Sequence, residues 1–172
     1  GKVPGRLGNG HPNIVPYQDF PTADGDMLLA IGNDGQFARF CEIAERREWI
    51  SDARFSTNGA RVKHRAELIP LLRQTTVMKT TAEWTALLES AAVACGPIND
   101  LAAVFADAQV KHRGLRFDMP HKSGNQVPQV ANPINLSATP VDYRTAPPTL
   151  GQHTDAVLAG LGYDTQTIAR LR

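Results

Sequence analysis

At Asp34 the hydrophobic pattern of the chain changes period, and that change limits the fold more than any other feature. Before it, "FPTADGDMLLAIG" reads as strand, turn, strand, with Met27–Ile31 a short buried strand. Asp24-Gly25 in this stretch predicts a tight hairpin turn with positive φ. After it, Phe37, Phe40, Cys41 and Ala44 recur at intervals of three and four, which predicts an amphipathic helix with Asp34 near its N-terminus. A chain that mixes both periods is α+β.

The middle of the chain continues as helix. Trp49, Ile50 and Phe55 are expected to anchor a connection to the core. Asn58 is a reasonable N-cap for a helix to about Thr75, with Val62, Leu68, Ile69, Leu71 and Leu72 inward. Pro70 predicts a kink or a break inside it. A third helix begins near Thr81, capped by Thr80 or Thr81, with Trp84, Leu87 and Leu88 as its buried stripe. "VACGPIND" is a short apolar segment, followed by a brief helix through Phe105 capped by Asn99 or Asp100. Beyond it, "GLRFDMPHKSGNQVPQVANPINLS" alternates around a Lys-Ser-Gly-Asn turn and predicts a hairpin. Two short C-terminal helices follow, the first stopped at Gly160 or Gly162 and the second capped by Asp164.

Length and charge narrow the function classes. The 172 residues suffice for a core, and 42% hydrophobic with 20% charged residues is ordinary for a soluble globular chain. A net charge of +1 without a basic block argues against nucleic-acid or membrane partners. No apolar run approaches the roughly 20 residues that span a bilayer, and no secretory signal is visible. Cys41 and Cys95 lack zinc-like spacing and are read as reduced thiols of a cytoplasmic protein, a single disulfide being the alternative. The first methionine is Met27, so the native start is expected to be missing or replaced, with a cleavage scar and linker ahead of it.

Gly8-Asn9-Gly10-His11-Pro12 is the leading site candidate. Its glycines let the backbone approach a ligand and aim amides at an anion, and His11 can donate to a phosphate or thioester oxygen. The plain alternative is a flexible turn into the first strand. Asp34 is either a helix cap or a general acid–base group. His153 and Asp155 are two apart and share no helix face, which favours a structural role. His64, His112 and His121 stand among polar neighbours as solvated residues, and no ligand spacing points to a metal. G-x-S-x-G, Walker A and strand-linked G-x-G-x-x-G motifs do not occur.

Six stretches, in this order, resemble the family III CoA-transferases: "GNGHPNIVPYQDFPTADG", "LLAIGNDGQFARFCEIA", "DARFSTNGARVKHRAEL", "EWTALLESAAVACGPIND", "NPINLSATP" and "PPTLGQHTDAVLAGLGY". That family includes formyl-CoA transferase, carnitine CoA-transferase and α-methylacyl-CoA racemase. The resemblance runs from about Gly5 to Leu171. It implies that this is the second half of a chain more than twice as long. Residues 1–19 would be linker and glycine-containing loop, and residues 20–112 a small helix/hairpin domain. Residues 113–172 would be a hairpin and helices that return to complete a large Rossmann-like domain.

Gly8, Asn9, Gly10, His11 and Pro12 would then lie in the active-site loop over the acyl-CoA intermediate. The resemblance further implies a coenzyme A thioester as substrate, no permanently bound cofactor, and a carboxylic acid as acceptor. The nucleophilic aspartate of the transferases would lie in the preceding half, since Asp19, Asp24, Asp26 and Asp34 do not match its motif. In the racemase branch a position like Asp34 carries protons, which makes Asp34 a weak catalytic candidate and the racemase a secondary possibility. The expected partner is an N-terminal-half polypeptide or a second copy of the chain. The alternatives are a stand-alone acyl-CoA- or protein-binding domain without catalysis, and a gene remnant that still folds.

Overall fold

A computed structural model describes residues 1, 3 and 5–172. The chain divides into two compact units, Gly1–Asn99 and Asp100–Arg172.

The first unit is built on a three-stranded antiparallel sheet in the order β1 (Tyr17–Pro21), β2 (Asp26–Ala30), β3 (Ala94–Pro97). Side chains alternate across a strand. Phe20 pairs with Met27, and these two together with Leu29 are fully buried, while Asp26 and Leu28 face outward. The apolar segment "VACGPIND" thus supplies a third strand to what the sequence predicts as a hairpin alone. Its pairing is non-local: Leu29 sits opposite Cys95.

The β1–β2 turn departs from the expected geometry. Neither Asp24 nor Gly25 has positive φ. Pro21 pairs with Asp26, leaving a four-residue loop closed by a hydrogen bond from the Thr22 amide to the Gly25 carbonyl (2.8 Å). Loops of that length form around right-handed turns, so the left-handed residue that a two-residue hairpin needs is not required.

The helices between β2 and β3 are α1 (Asp34–Ile43), α2 (Glu48–Ser51), α3 (Asn58–Lys63), α4 (Arg65–Thr76) and α5 (Thr81–Ser90). Asn33 caps α1 by accepting from the Gln36 amide, so Asp34 is its first residue. Thr57, one residue before the expected Asn58, caps α3. The helix predicted from Asn58 to Thr75 is two helices that meet at His64, and α4 continues through Pro70 to Thr76. Thr80 caps α5 in a reciprocal capping box with Glu83. Helix α4 packs on β1, α5 on β3, and α1 on α5.

Phe37, Phe40, Cys41, Leu68, Leu72, Trp84 and Leu88 join the buried sheet face in one core, with Trp49 and Phe55 anchoring the α2 region. Leu87 is the exception to its predicted stripe and stands 40% exposed. Burial pushes the Cys41 thiol up to about 12, which leaves it a protonated core side chain rather than a nucleophile.

Among the described residues two non-glycine residues lie in the left-handed region after helices, Glu45 after α1 and Ala92 after α5. At Ala92 the next amide, of Val93, closes back on the Leu88 carbonyl (2.9 Å), a helix-ending turn that glycine suits best. Replacing Ala92 with glycine is expected to stabilise the chain by about 1 kcal/mol, read as a higher urea midpoint with unchanged slope.

Asp24 joins the turn to α5. Its Oδ1 accepts from the Thr81 amide (2.8 Å), the Thr81 hydroxyl (3.0 Å) and the Thr22 hydroxyl (3.2 Å). The Thr81 amide above all holds the Asp24 carboxyl below its ordinary range. A carboxylate whose folded value lies below its unfolded one stabilises fully above about pH 4, and that contribution fades as pH falls through the folded value. In D24N, stability is therefore expected to fall less steeply than in the parent between about pH 4 and pH 2. Urea titrations across that range measure the slope.

The second unit holds α6 (Leu101–Ala106), α7 (Ala108–His112), a hairpin of β4 (Arg116–Pro120) and β5 (Gln126–Val130), then α8 (Thr154–Gly160) and α9 (Thr165–Leu171). Asp100 caps α6, and α7 is an addition to the single brief helix expected there. Gly162, at φ +89°, follows the end of α8, and Asp164 caps α9. Among its described residues Ile168 is the one buried hydrophobic, while Leu101, Val130, Ile134, Val157, Leu161 and Leu171 are exposed. No helix among the described residues is long and apolar enough to cross a membrane.

Candidate functional site

Gly8–Pro12 precedes β1, and its hydrogen bonds turn inward. The Gly10 amide donates to the Leu7 carbonyl (3.1 Å) and the His11 amide to the Tyr17 carbonyl (2.9 Å). The Asn13 amide donates to His11 Nδ1 (3.1 Å). These three amides are therefore engaged within the loop or with β1 rather than aimed at a ligand. With Nδ1 accepting, the proton of a neutral His11 ring sits on Nε2. The ring rests against Tyr17 with centroids 5.3 Å apart. Gly8 takes φ +63°, which glycine adopts without strain. Gly8, Asn9 and Pro12 are exposed, and Gly10 and His11 are half-buried.

Three side chains of α3 and α4 hold this segment. Asn58 donates from Nδ2 to the Asn13 carbonyl (2.8 Å) and accepts at Oδ1 from the Val15 amide (3.1 Å). Arg65 Nη2 donates to the carbonyls of His11 (2.7 Å) and Pro12 (2.8 Å). Arg61, although charged, is fully buried. Its Nε donates to the Val15 carbonyl (2.7 Å), Nη1 to the Phe55 carbonyl (2.8 Å) and Nη2 to Asp34 Oδ1 (2.8 Å). The guanidinium lies over the Phe37 ring, 4.3 Å from its centroid. Burial draws Arg61 below its ordinary range, and the Asp34 carboxylate works against that by favouring the cation.

Asp34 thus serves as countercharge to a buried cation. Its Oδ1 also accepts from the Asn58 amide (2.8 Å), so one oxygen ties α1 to the start of α3. The side chain is half exposed. Asp34 and the loop after Pro12 are two sides of one joint through Asn58 and Arg61. His153 and His121 lie in the second unit, and among the described residues no three His, Cys, Asp or Glu side chains are placed to hold a metal ion.

Sequence reasoning points to the loop and Asp34 but passes over Arg61 and Arg65, and assigns Asn58 only to a cap. A signal is present. In "NGARVKHR" two arginines stand four apart with no acid between them, so their partners must lie elsewhere in the fold.

The sequence profile described as CoA-transferase family III matches residues 1–154. The chain belongs to that family. A succinate–glutarate CoA-transferase of Agrobacterium fabrum is 45% identical over 161 residues, covering 94% of this chain and 40% of the relative. A human succinyl-CoA:glutarate CoA-transferase is 38% identical over 167 residues, covering 96% and 38%. A crystal structure of a CaiB/BaiF family protein from Brucella suis superposes with TM-score 0.79 at 41% identity, over 93% of this chain and 41% of that one. The chain therefore spans about two-fifths of the length of the curated relatives it matches. A Mycobacterium tuberculosis protein, at 21% identity and TM-score 0.69, shares the fold.

Proposed function

We propose that this chain is the C-terminal part of an enzyme that transfers CoA between a dicarboxylic acyl-CoA, such as succinyl-CoA, and a second dicarboxylic acid, such as glutarate. The observation that carries it is the 45% identity with a succinate–glutarate CoA-transferase across 94% of the chain. In the reaction the thioester of one acid is broken and that of the other formed, with free succinate and glutaryl-CoA as products, and no redox or metal chemistry is required.

The proposal includes that the chain alone does not turn over, because the nucleophilic aspartate belongs to the portion its relatives carry beyond this match. Local geometry supports this. Of the four aspartates ahead of α1 or at its start, Asp34 is occupied by Arg61, Asp24 by Thr81, and Asp19 lies 3.8 Å from Arg73, while Asp26 stands exposed on the outward face of β2. The exposed apolar side chains of the second unit are in keeping with a segment that the remaining portion of a longer protein covers. That portion, as a separate polypeptide or together with a second copy of the chain, is the expected partner. Reduced Cys41 and Cys95 suit a cytoplasmic site.

The test mixes the purified chain with the N-terminal portion of the Agrobacterium relative and follows glutaryl-CoA formation from succinyl-CoA and glutarate. Turnover in the mixture and none in either part supports the proposal. A stable mixture that binds succinyl-CoA without turnover points instead to a non-catalytic acyl-CoA-binding domain.

Gly10→Val is expected to weaken succinyl-CoA binding about tenfold while leaving the fold intact. A Cβ at Gly10 would stand 3.2 Å from both the Leu7 carbonyl oxygen and Gln18 Oε1, so the backbone at Leu7 must give by a few tenths of an ångström. Calorimetric titration of both proteins measures it, and equal affinity removes the loop from the site.

A further inference from the structure

We propose that Arg65 is a positioning residue that sets the orientation of His11 in the substrate loop, an inference that rests on the loop belonging to the CoA site. The His11 backbone is gripped from both sides. Its amide donates to the Tyr17 carbonyl on β1 (2.9 Å), and its carbonyl accepts from Arg65 Nη2 at the start of α4 (2.7 Å). The same nitrogen donates to the Pro12 carbonyl (2.8 Å), so two successive carbonyls point at one guanidinium. Pro12 has a fixed φ and no amide of its own, which leaves that stretch few ways to rearrange.

With the backbone fixed, the ring direction follows. Tyr17 supports one side of the imidazole, and the Asn13 amide occupies Nδ1. The Nε2–H is then the ring's remaining donor, suited to a thioester carbonyl, a phosphate or a carboxylate. Among the described residues no carboxylate lies within ion-pair distance of Arg65. A half-buried cation without an acid neighbour donates to neutral carbonyls at full strength, and such charge-assisted bonds are about twice as strong as neutral ones. Arg61 and Asn58 fix the chain beyond, at Asn13 and Val15, so of the three side chains from α3 and α4 Arg65 is the one that holds the His11 and Pro12 carbonyls.

The experiment compares R65M, which keeps the aliphatic stem but cannot donate, with R65K, which can donate to both carbonyls. Amide hydrogen exchange is measured on the full chain with and without succinyl-CoA. In R65M the His11 and Asn13 amides are expected to exchange about tenfold faster, and succinyl-CoA affinity to fall about tenfold. Met27 and Leu29 amides keep parental rates as the check on folding. R65K is expected to restore both exchange and affinity. Should R65M unfold the chain, R65L, which likewise cannot donate, replaces it against R65K. Unchanged His11 exchange in R65M overturns the proposal, and so does R65K as fast as R65M, since donation would then not be the cause. If the exchange pattern is as expected but the parent chain does not protect the loop on adding succinyl-CoA, positioning by Arg65 stands and the loop's place in the CoA site falls.

Discussion

Arg61→Met is expected to lower the unfolding free energy by about 3–5 kcal/mol. Methionine matches much of the volume, so the loss comes from polar groups rather than from a cavity. The Val15 and Phe55 carbonyls both lose the buried donor that satisfies them, each at a cost of about 1–3 kcal/mol. Asp34 loses its cation but is half exposed, so water recovers part of that interaction. Asp34→Asn, which keeps an oxygen for Arg61 and the Asn58 amide, is expected to be milder than Arg61→Met. Urea denaturation of the three proteins checks both the size and the order. If Arg61→Met costs under about 1 kcal/mol, the joint between α1, α3 and the loop is not what holds the segment after Pro12.

The second large effect is expected at Trp84. Truncation to alanine should destabilise the chain by about 3–5 kcal/mol. The indole lies in the core, stacks on Phe40 with centroids 6.0 Å apart and donates from Nε1 to the Thr76 carbonyl (2.7 Å). That bond ties α5 to the end of α4. Trp84→Phe helps to separate the contributions, since it keeps an aromatic on Phe40 while it removes the donor and part of the ring volume. It is expected to cost about 1–2 kcal/mol, in line with a lost buried hydrogen bond plus a smaller ring. Urea midpoints of the two variants measure the difference.

Elements whose pattern lies within one turn or one strand are legible in the sequence itself. Phe37, Phe40 and Cys41 form the inward stripe of α1, with its C-cap Ala44 buried beside them as the spacing predicts, and Trp84 and Leu88 do so on α5. Asp164 and Thr80 cap the helices that follow them, because capping needs only an oxygen and an amide three residues apart. The Lys-Ser-Gly-Asn turn lies between β4 and β5 for the same local reason. Boundaries are less well specified. Thr57 and Asn58 are both competent caps, and the backbone of Thr57 is the extended one, while the side chain of Asn58 is drawn away to Asn13 and Val15. Pro70 signals a break, yet the helix boundary falls at His64, where His64 Nδ1 pairs with Glu67 in the first turn of α4.

The candidate site divides along the same line. The glycine-proline texture of Gly8–Pro12 and the position of Asp34 at a strand-to-helix junction are visible in sequence because each is a short contiguous pattern. The arrangement that joins them is not. Arg61 meets the Val15 carbonyl across 46 positions, and the Asn58 amide meets Asp34 across 24. An arginine that sequence reasoning passes over becomes a buried hub because α1, α3 and the approach to β1 converge on it. Local spacing of apolar groups and cap oxygens specifies which elements form, whereas the countercharge of a buried guanidinium is specified only once distant segments have met.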